Sequence, residues 1–96
     1  VLCDVLKVNT SVTKLDLYGN NLGDQGARAI SEALKVNQSV KKLNLGSNRV
    51  GSAGARAIGG MLIVSKTLKE LSLSSNKIGP EGARAVAEAL KVNKSI

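Results

Sequence analysis

One apolar pattern, Φ-x-x-L-x-L-x-x-N-x-Φ-G-x-x-G-A-R-A-Φ with Φ for Val, Ile or Leu, occurs three times in the chain at a displacement of 28 residues. Leu15, Leu43 and Leu71 coincide, as do Leu17, Leu45 and Leu73, then Asn20, Asn48 and Asn76, then Leu34, Leu62 and Leu90. A chain that repeats at this period makes one small supersecondary unit per copy. Each unit buries its apolar face against its neighbours, so the chain stacks along a strip of core instead of folding around a centre. The register divides a single domain, 1–96, into complete repeats at 13–40, 41–68 and 69–96, with residues 1–12 reading as the tail of a preceding copy.

Within one copy the spacing of apolar residues changes. Leu15 and Leu17 alternate with Lys14, Asp16 and Tyr18, the two-residue period of a half-buried strand. After Gly23 and Gly26, residues Ala27, Ile30, Ala33 and Leu34 recur at three- and four-residue spacing, the period of an amphipathic helix. Pro80 suits the first helical position, where its missing N–H costs nothing, and Glu81 suits the positive end of the helix dipole. Asp24 and Ser52 stand at the Pro80 place in the other copies. The helices are expected to end near Asn37, Ser65 and Asn93, asparagine tolerating the left-handed conformation that closes many helices.

Parallel strands spaced under about 5 Å beside helices about 10 Å apart must curve. The expected fold class is α/β, a right-handed βα solenoid arc with the parallel sheet on its concave face and the helices on its convex face. Asn20, Asn48 and Asn76 fall where the chain leaves each strand, and their amides can satisfy backbone groups of adjacent copies as a structural ladder.

The runs Val12 to Leu34, Val40 to Leu62 and Leu68 to Leu90 resemble the ribonuclease-inhibitor-type leucine-rich repeat, L-x-x-L-x-L-x-x-N-x-L-x-x-x-G-x-x-x-L-x-x-x-L. The Gly-Ala-Arg-Ala run and the Lys-Val-Asn ending are most similar to the arrays of NOD-like receptors and of protist and bacterial repeat proteins. Ribonuclease inhibitor itself alternates two repeat types, whereas this chain has Asn at the ladder position throughout. The resemblance implies a module that recognises proteins. Similar repeats in the GTPase-activating protein of Ran imply a less favoured reading, stimulation of a GTPase in trans.

The chain carries 14 basic and 7 acidic residues, a formal charge of +7. Such a balance raises nucleic acid or an anionic surface as a partner. Yet Arg28, Arg56 and Arg84 are one position copied three times, and Lys7, Lys35 and Lys91 are another. The charge therefore reads as a solvated helix face, and neither nucleic acid nor a membrane is expected as partner. With no His and one cysteine, Cys3, the usual nucleophilic triads, a zinc site and an internal disulfide are all excluded. No enzyme activity, cofactor or metal site is expected, and a cytoplasmic, reducing compartment fits best. No stretch approaches the roughly 18 apolar residues of a membrane span.

Two further patterns reduce to the repeat. Gly23/Gly26, Gly51/Gly54 and Gly79/Gly82 imitate a phosphate cradle, but threefold recurrence assigns them to architecture, small residues that let the helix start approach the strand layer. Asn9-Thr10-Ser11, Asn37-Gln38-Ser39 and Asn93-Lys94-Ser95 read as glycosylation acceptors and are copies of one helix-ending turn.

Positions where the copies disagree while the frame stays constant are free to serve a partner. The outward strand positions present Lys14, Asp16 and Tyr18, then Lys42, Asn44 and Gly46, then Glu70, Ser72 and Ser74. The strand-exit rim adds Asn21, Arg49 and Lys77. Tyr18 has the rigid, amphipathic character of an interface anchor. The expected function is a protein–protein interaction module that docks a protein partner, of unspecified identity, on the concave face and rim. The alternative is a structural spacer within a larger sensor or scaffold.

The second helix departs from its neighbours. It has Gly59-Gly60-Met61 where the others have Ser31-Glu32-Ala33 and Ala87-Glu88-Ala89. Arg56 thus lacks the acid four residues on that Arg28 and Arg84 have in Glu32 and Glu88. Either the convex side lies close to something there or the copy has decayed; decay is the favoured explanation, so Gly59→Ala with Gly60→Glu is expected to raise stability, a loss instead meaning that close packing requires the glycines. Neither end reads as a polar cap, Val1 and Leu2 falling in mid-helix and Ile96 at a strand start. The chain therefore reads as a piece of a longer array, with end-to-end self-association expected of it alone.

Overall fold

The computed structural model describes residues 11–93. Readings that fall on Cys3, on the 1–12 tail, on the Asn9 and Asn93 acceptor triplets as wholes and on the two apolar ends lie outside the described residues. The elements alternate: β1 (Lys14–Asp16), α1 (Gly23–Val36), β2 (Lys42–Asn44), α2 (Ser52–Val64), β3 (Glu70–Ser72) and α3 (Gly79–Val92). The strands form a parallel sheet in the order β1-β2-β3, with Leu15, Leu43 and Leu71 paired in register. The 28-residue offset thus becomes lateral pairing of equivalent residues. Hydrogen bonds continue the ladder past the strands, from Leu17 N–H to Asn44 carbonyl and from Leu45 N–H to Ser72 carbonyl, each at 2.9 Å.

The core lies between the sheet and the row of helices. In the middle copy Leu43, Leu45, Val50, Ile58, Met61 and Leu62 are buried, while Leu15, Leu17, Leu71 and Leu73 of the outer copies are half-buried. Full burial of such a side chain is worth roughly 1.5–3 kcal/mol. A copy collects this in full only when flanked on both sides, which is the nearest-neighbour energetics of a stack.

The helix starts carry no side-chain cap of their own. For α2 the neighbour supplies one. The Asp24 carboxylate of the first turn of α1 accepts hydrogen bonds from Gly51 N–H (2.6 Å) and Gly54 N–H (3.0 Å). An anion at a helix N-terminus satisfies unpaired N–H groups and complements the dipole. At the equivalent place one copy on, Ser52 instead donates its hydroxyl to Ile78 carbonyl (2.9 Å).

Several expectations are corrected. The helices close at Asn37, Ser65 and Asn93, but all three residues are extended (φ −67°, −72° and −76°), not left-handed. Asn37 closes its helix with its side chain, Oδ1 accepting from Ser39 N–H (2.8 Å) and Val40 N–H (2.9 Å). In the second and third copies the second glycine of Gly-x-x-Gly is required by packing on the preceding helix rather than by the strand layer, whereas the nearest atoms to a Cβ on Gly26 would be those of Leu22 in its own copy. A Cβ on Gly54 would meet Asp24 Oδ1 at 2.7 Å and Ala27 Cβ at 3.1 Å, and one on Gly82 would meet Ala55 Cβ at 2.9 Å. Glu32 and Glu88 pair with Lys35 (3.3 Å) and Lys91 (3.5 Å), three residues on, and not with Arg28 and Arg84. Nor is Gly59 a product of decay: it is buried, and a Cβ there would stand 3.0 Å from the Ala85 carbonyl oxygen of α3. Only Gly60, whose Cβ would meet nothing, fits that explanation.

Candidate functional site

Parallel pairing in register turns each outward strand position into a row across the sheet. Lys14, Lys42 and Glu70 make one row, and Asp16, Asn44 and Ser72 the next. These six residues line a hollow of about 310 Å³ on the open sheet face, with Leu15, Leu43 and Leu71 beneath. Within it Lys42 Nζ lies 3.0 Å from Glu70 Oε2. Lys14 has no ion-pair partner among the described residues. Such an exposed pair contributes little stability and leaves both groups available to a ligand.

The second row does two jobs. Asp16 Oδ1 accepts from Tyr18 N–H (3.1 Å) and Asn44 Oδ1 from Gly46 N–H (2.9 Å), so each carboxylate or amide shapes the turn by which its strand exits. In the third copy two hydroxyls, Ser72 and Ser74, lie 3.3 Å apart. Beyond that row Tyr18 leans across the neighbouring copy. A Cβ on Gly46 would stand 2.9 Å from Tyr18 Cδ2 and 3.0 Å from Ser74 Oγ, so glycine is what lets the ring lie over the backbone there. Tyr18 remains 56% exposed. An aromatic ring both held and accessible loses little entropy when a partner covers it.

At the strand-exit rim Asn21 (φ +54°) and Arg49 (φ +58°) occupy the left-handed region, whereas Lys77 does not. Arg49 and Lys77 face a recess of about 430 Å³ with Val50, Gly51, Ser75 and Asn76. All ten residues expected to meet a partner are exposed or half-buried: Lys14, Asp16, Tyr18, Asn21, Lys42, Asn44, Arg49, Glu70, Ser72 and Lys77.

Under this surface run the asparagines. Asn48, fully buried, accepts at Oδ1 from Asn20 N–H (2.8 Å) and Leu22 N–H (3.3 Å) and donates from Nδ2 to the carbonyls of Leu17 (2.8 Å) and Gly46 (3.0 Å). Asn76 repeats this one copy on, accepting from Asn48 and Val50 N–H and donating to Leu45 carbonyl. Asn20 is exposed, and its amide donates to Leu17 and Tyr18 carbonyls of its own copy. A second set of asparagines lies at the helix ends. Asn93 Nδ2 donates to Leu62 carbonyl (2.6 Å) and Ser65 carbonyl (2.8 Å), tying the end of α3 to the end of α2. Its signal in the sequence is the recurring Lys-Val-Asn, whose asparagine both stops the helix and reaches back to the copy before it. Asn37 is likewise buried, so its acceptor triplet is incidental.

No group of His, Cys, Asp and Glu among the described residues could hold a metal ion, and no described helix is long and apolar enough to cross a membrane. The family model of the TMOD/LMOD leucine-rich domain matches residues 1–96.

The chain belongs to the TMOD/LMOD leucine-rich domain family. Its structure is similar to that of a solved chain titled "Leiomodin-1 Actin-Binding Site 2 (ABS2)", with 31% identity and a TM-score of 0.88 over 98% of this chain and 56% of that one. The tropomodulin C-terminal domain of Caenorhabditis elegans shares the fold at 20% identity and a TM-score of 0.87, over 98% of this chain and 57% of that one. The chain thus spans just over half the length of both TMOD/LMOD relatives. No curated protein matches it. These relatives are leucine-rich-repeat domains, in keeping with the parallel sheet and helix row described above.

Proposed function

We propose that this chain is a protein-interaction module and that its partner is actin. The observation that carries the reading is membership of the TMOD/LMOD family over residues 1–96, together with 31% identity to a leiomodin-1 domain named for an actin-binding site. The binding surface in this reading is the concave face of a right-handed solenoid built from repeats 13–40, 41–68 and 69–96. Lys14, Lys42 and Glu70 supply its charges, Asp16, Asn44 and Ser72 its polar floor, Tyr18 its anchor, and Asn21, Arg49 and Lys77 its rim. Support comes from the mixed-charge hollow of about 310 Å³ and from the ring of Tyr18 lying over Gly46. The cytoplasm is the compartment this partner requires.

The test is fluorescence anisotropy of labelled actin with the wild-type chain and with Tyr18→Ala/Lys42→Ala/Arg49→Ala. The triple variant is expected to keep its circular dichroism and to bind at least about tenfold more weakly, a loss of about 1.4 kcal/mol. Unchanged affinity would move the site off this face, and no binding by the wild type would remove actin as the partner.

A further inference from the structure

The outer face of α2 carries an observation that the sheet-face reading does not use. On α1 the outward line is Gln25, Arg28, Glu32 and Lys35, and on α3 it is Glu81, Arg84, Glu88 and Lys91. At the same four places α2 has Ala53, Arg56, Gly60 and Ile63. The ion pairs Glu32–Lys35 and Glu88–Lys91 of the flanking helices are thereby replaced by a glycine and an isoleucine. Ile63 is 58% exposed, beside Val64, which is exposed as Val36 and Val92 are in the flanking helices, while the inner face of α2 buries Ile58, Met61 and Leu62. Apart from Arg56, α2 is as free of charge as a helix that belongs in an interior. Here its outer side faces solvent.

Shape and charge indicate what covers it. Ala53, Ala57 and Gly60 are short, and a Cβ on Gly60 would meet nothing, so apart from Arg56 the outer side of α2 stands lower than the ridges of long side chains on the flanking helices, as the floor of a trough. Neighbouring helices centred about 10 Å apart set the ridges about 20 Å apart, which admits one helix of about 10–12 Å diameter. Arg28, Arg56 and Arg84, in a row across the trough, have no ion-pair partner among the described residues, and with Lys35 and Lys91 they outnumber Glu32 and Glu88 beside Gly60 and Ile63. The charge left uncompensated around this apolar floor is positive.

We propose that the outer face of α2 is a docking trough for an acidic amphipathic helix of a partner protein. The apolar stripe of that helix rests on Gly60, Ile63 and Val64, and carboxylates along its edges meet Arg28, Arg56 and Arg84. This is helix-in-groove recognition, in which anchors at one-turn spacing fill the floor and charges on the flanks select the partner. It lies on another face from the proposed actin surface and stands or falls separately from it.

The probe is a blocked peptide of about four helical turns with Leu at i, i+3, i+4 and i+7 and Glu elsewhere, titrated into the ¹⁵N-labelled chain. Saturable shifts at Ala53, Ala57, Gly60, Ile63 and Val64 are expected. Gly60→Glu/Ile63→Lys, which gives α2 the ion pair of its neighbours, is expected to weaken binding about tenfold or more, and Arg56→Gln to weaken it without displacing the shifts. The triple variant at Tyr18, Lys42 and Arg49 is expected to bind the peptide as the wild type does. Equal affinity for the peptide with Lys in place of Glu, shifts centred on the strands, or no saturable binding would overturn the proposal. So would a dimer of the chain alone, seen by sedimentation equilibrium and lost in Gly60→Glu/Ile63→Lys, which would make a second copy the occupant.

Discussion

Gly59 and Gly60 are adjacent in one helix, yet replacing each with alanine is expected to change stability in opposite directions. Glycine in a helix interior costs about 1 kcal/mol relative to alanine, because the unfolded chain has more backbone freedom to lose. At Gly60 the added methyl meets no atom within 4 Å, so Gly60→Ala should gain that amount in full. In a domain of this size about 1 kcal/mol raises Tm by roughly 4–8 °C. At Gly59 the same gain is opposed by a contact of 3.0 Å to the Ala85 carbonyl oxygen and 3.3 Å to its carbonyl carbon. A backbone carbonyl cannot rotate aside as a side chain can. Helix α3 must therefore retreat by a few tenths of an ångström, opening the seam it shares with α2, and overpacking of this kind costs about 1–3 kcal/mol. The net effect of Gly59→Ala is a loss of about 0–2 kcal/mol. Thermal and urea unfolding of the two single variants, read against wild type, measure the contrast. A Gly59→Ala protein stabilised as much as Gly60→Ala would refute the close approach of α2 and α3 on which the reasoning depends.

Three further outcomes are expected. Ser65 occupies the place held by Asn37 and Asn93, and a recess of about 260 Å³ lies there between the ends of α1 and α2, lined by Leu34, Asn37, Val64 and Ser65 among others. Ser65→Asn should reach back to the Leu34 and Asn37 carbonyls as Asn93 does to those of Leu62 and Ser65, raising stability by about 1–2 kcal/mol in urea unfolding. Asp24→Ala removes the acceptor for Gly51 and Gly54 N–H and should cost about 1–2 kcal/mol, with faster amide exchange concentrated at the start of α2 rather than in α1. Asn48→Ala should cost about 3 kcal/mol, since buried backbone groups of two copies lose their partners. Asn20→Ala, at an exposed position, should cost less than about 1 kcal/mol by the same measurement.

Much of this architecture is legible in one dimension because a repeat supplies its own controls. Leucines at alternate places followed by apolar residues at helical spacing identify strand and helix, and the offset of 28 residues states which leucine pairs with which. The outward rows of the sheet follow from the same alternation, so the candidate surface from Lys14 to Lys77 could be written down by position. What could not be read were relations across the seam between copies. Asp24 stands at the Pro80 place of its own helix, yet it caps the next one. Asn93 looked like a stop signal, yet it bonds the end of α2. Tyr18 has the character of an anchor, but nothing in its own copy discloses that Gly46 makes room for its ring.

The sequence by itself determined the unit, its period, its inward and outward faces and the pairing of equivalent residues, because binary patterning at periods of 2 and 3.6 is a property of contiguous chain. Tertiary structure alone decided which of two neighbouring glycines is indispensable, which acid serves which helix, and that Gly46 makes room for the ring of Tyr18. These depend on contacts of about 3 Å between residues some 26–31 positions apart. At that range a shift of a few tenths of an ångström changes the sign of an energy, and no pattern along the chain carries that distance.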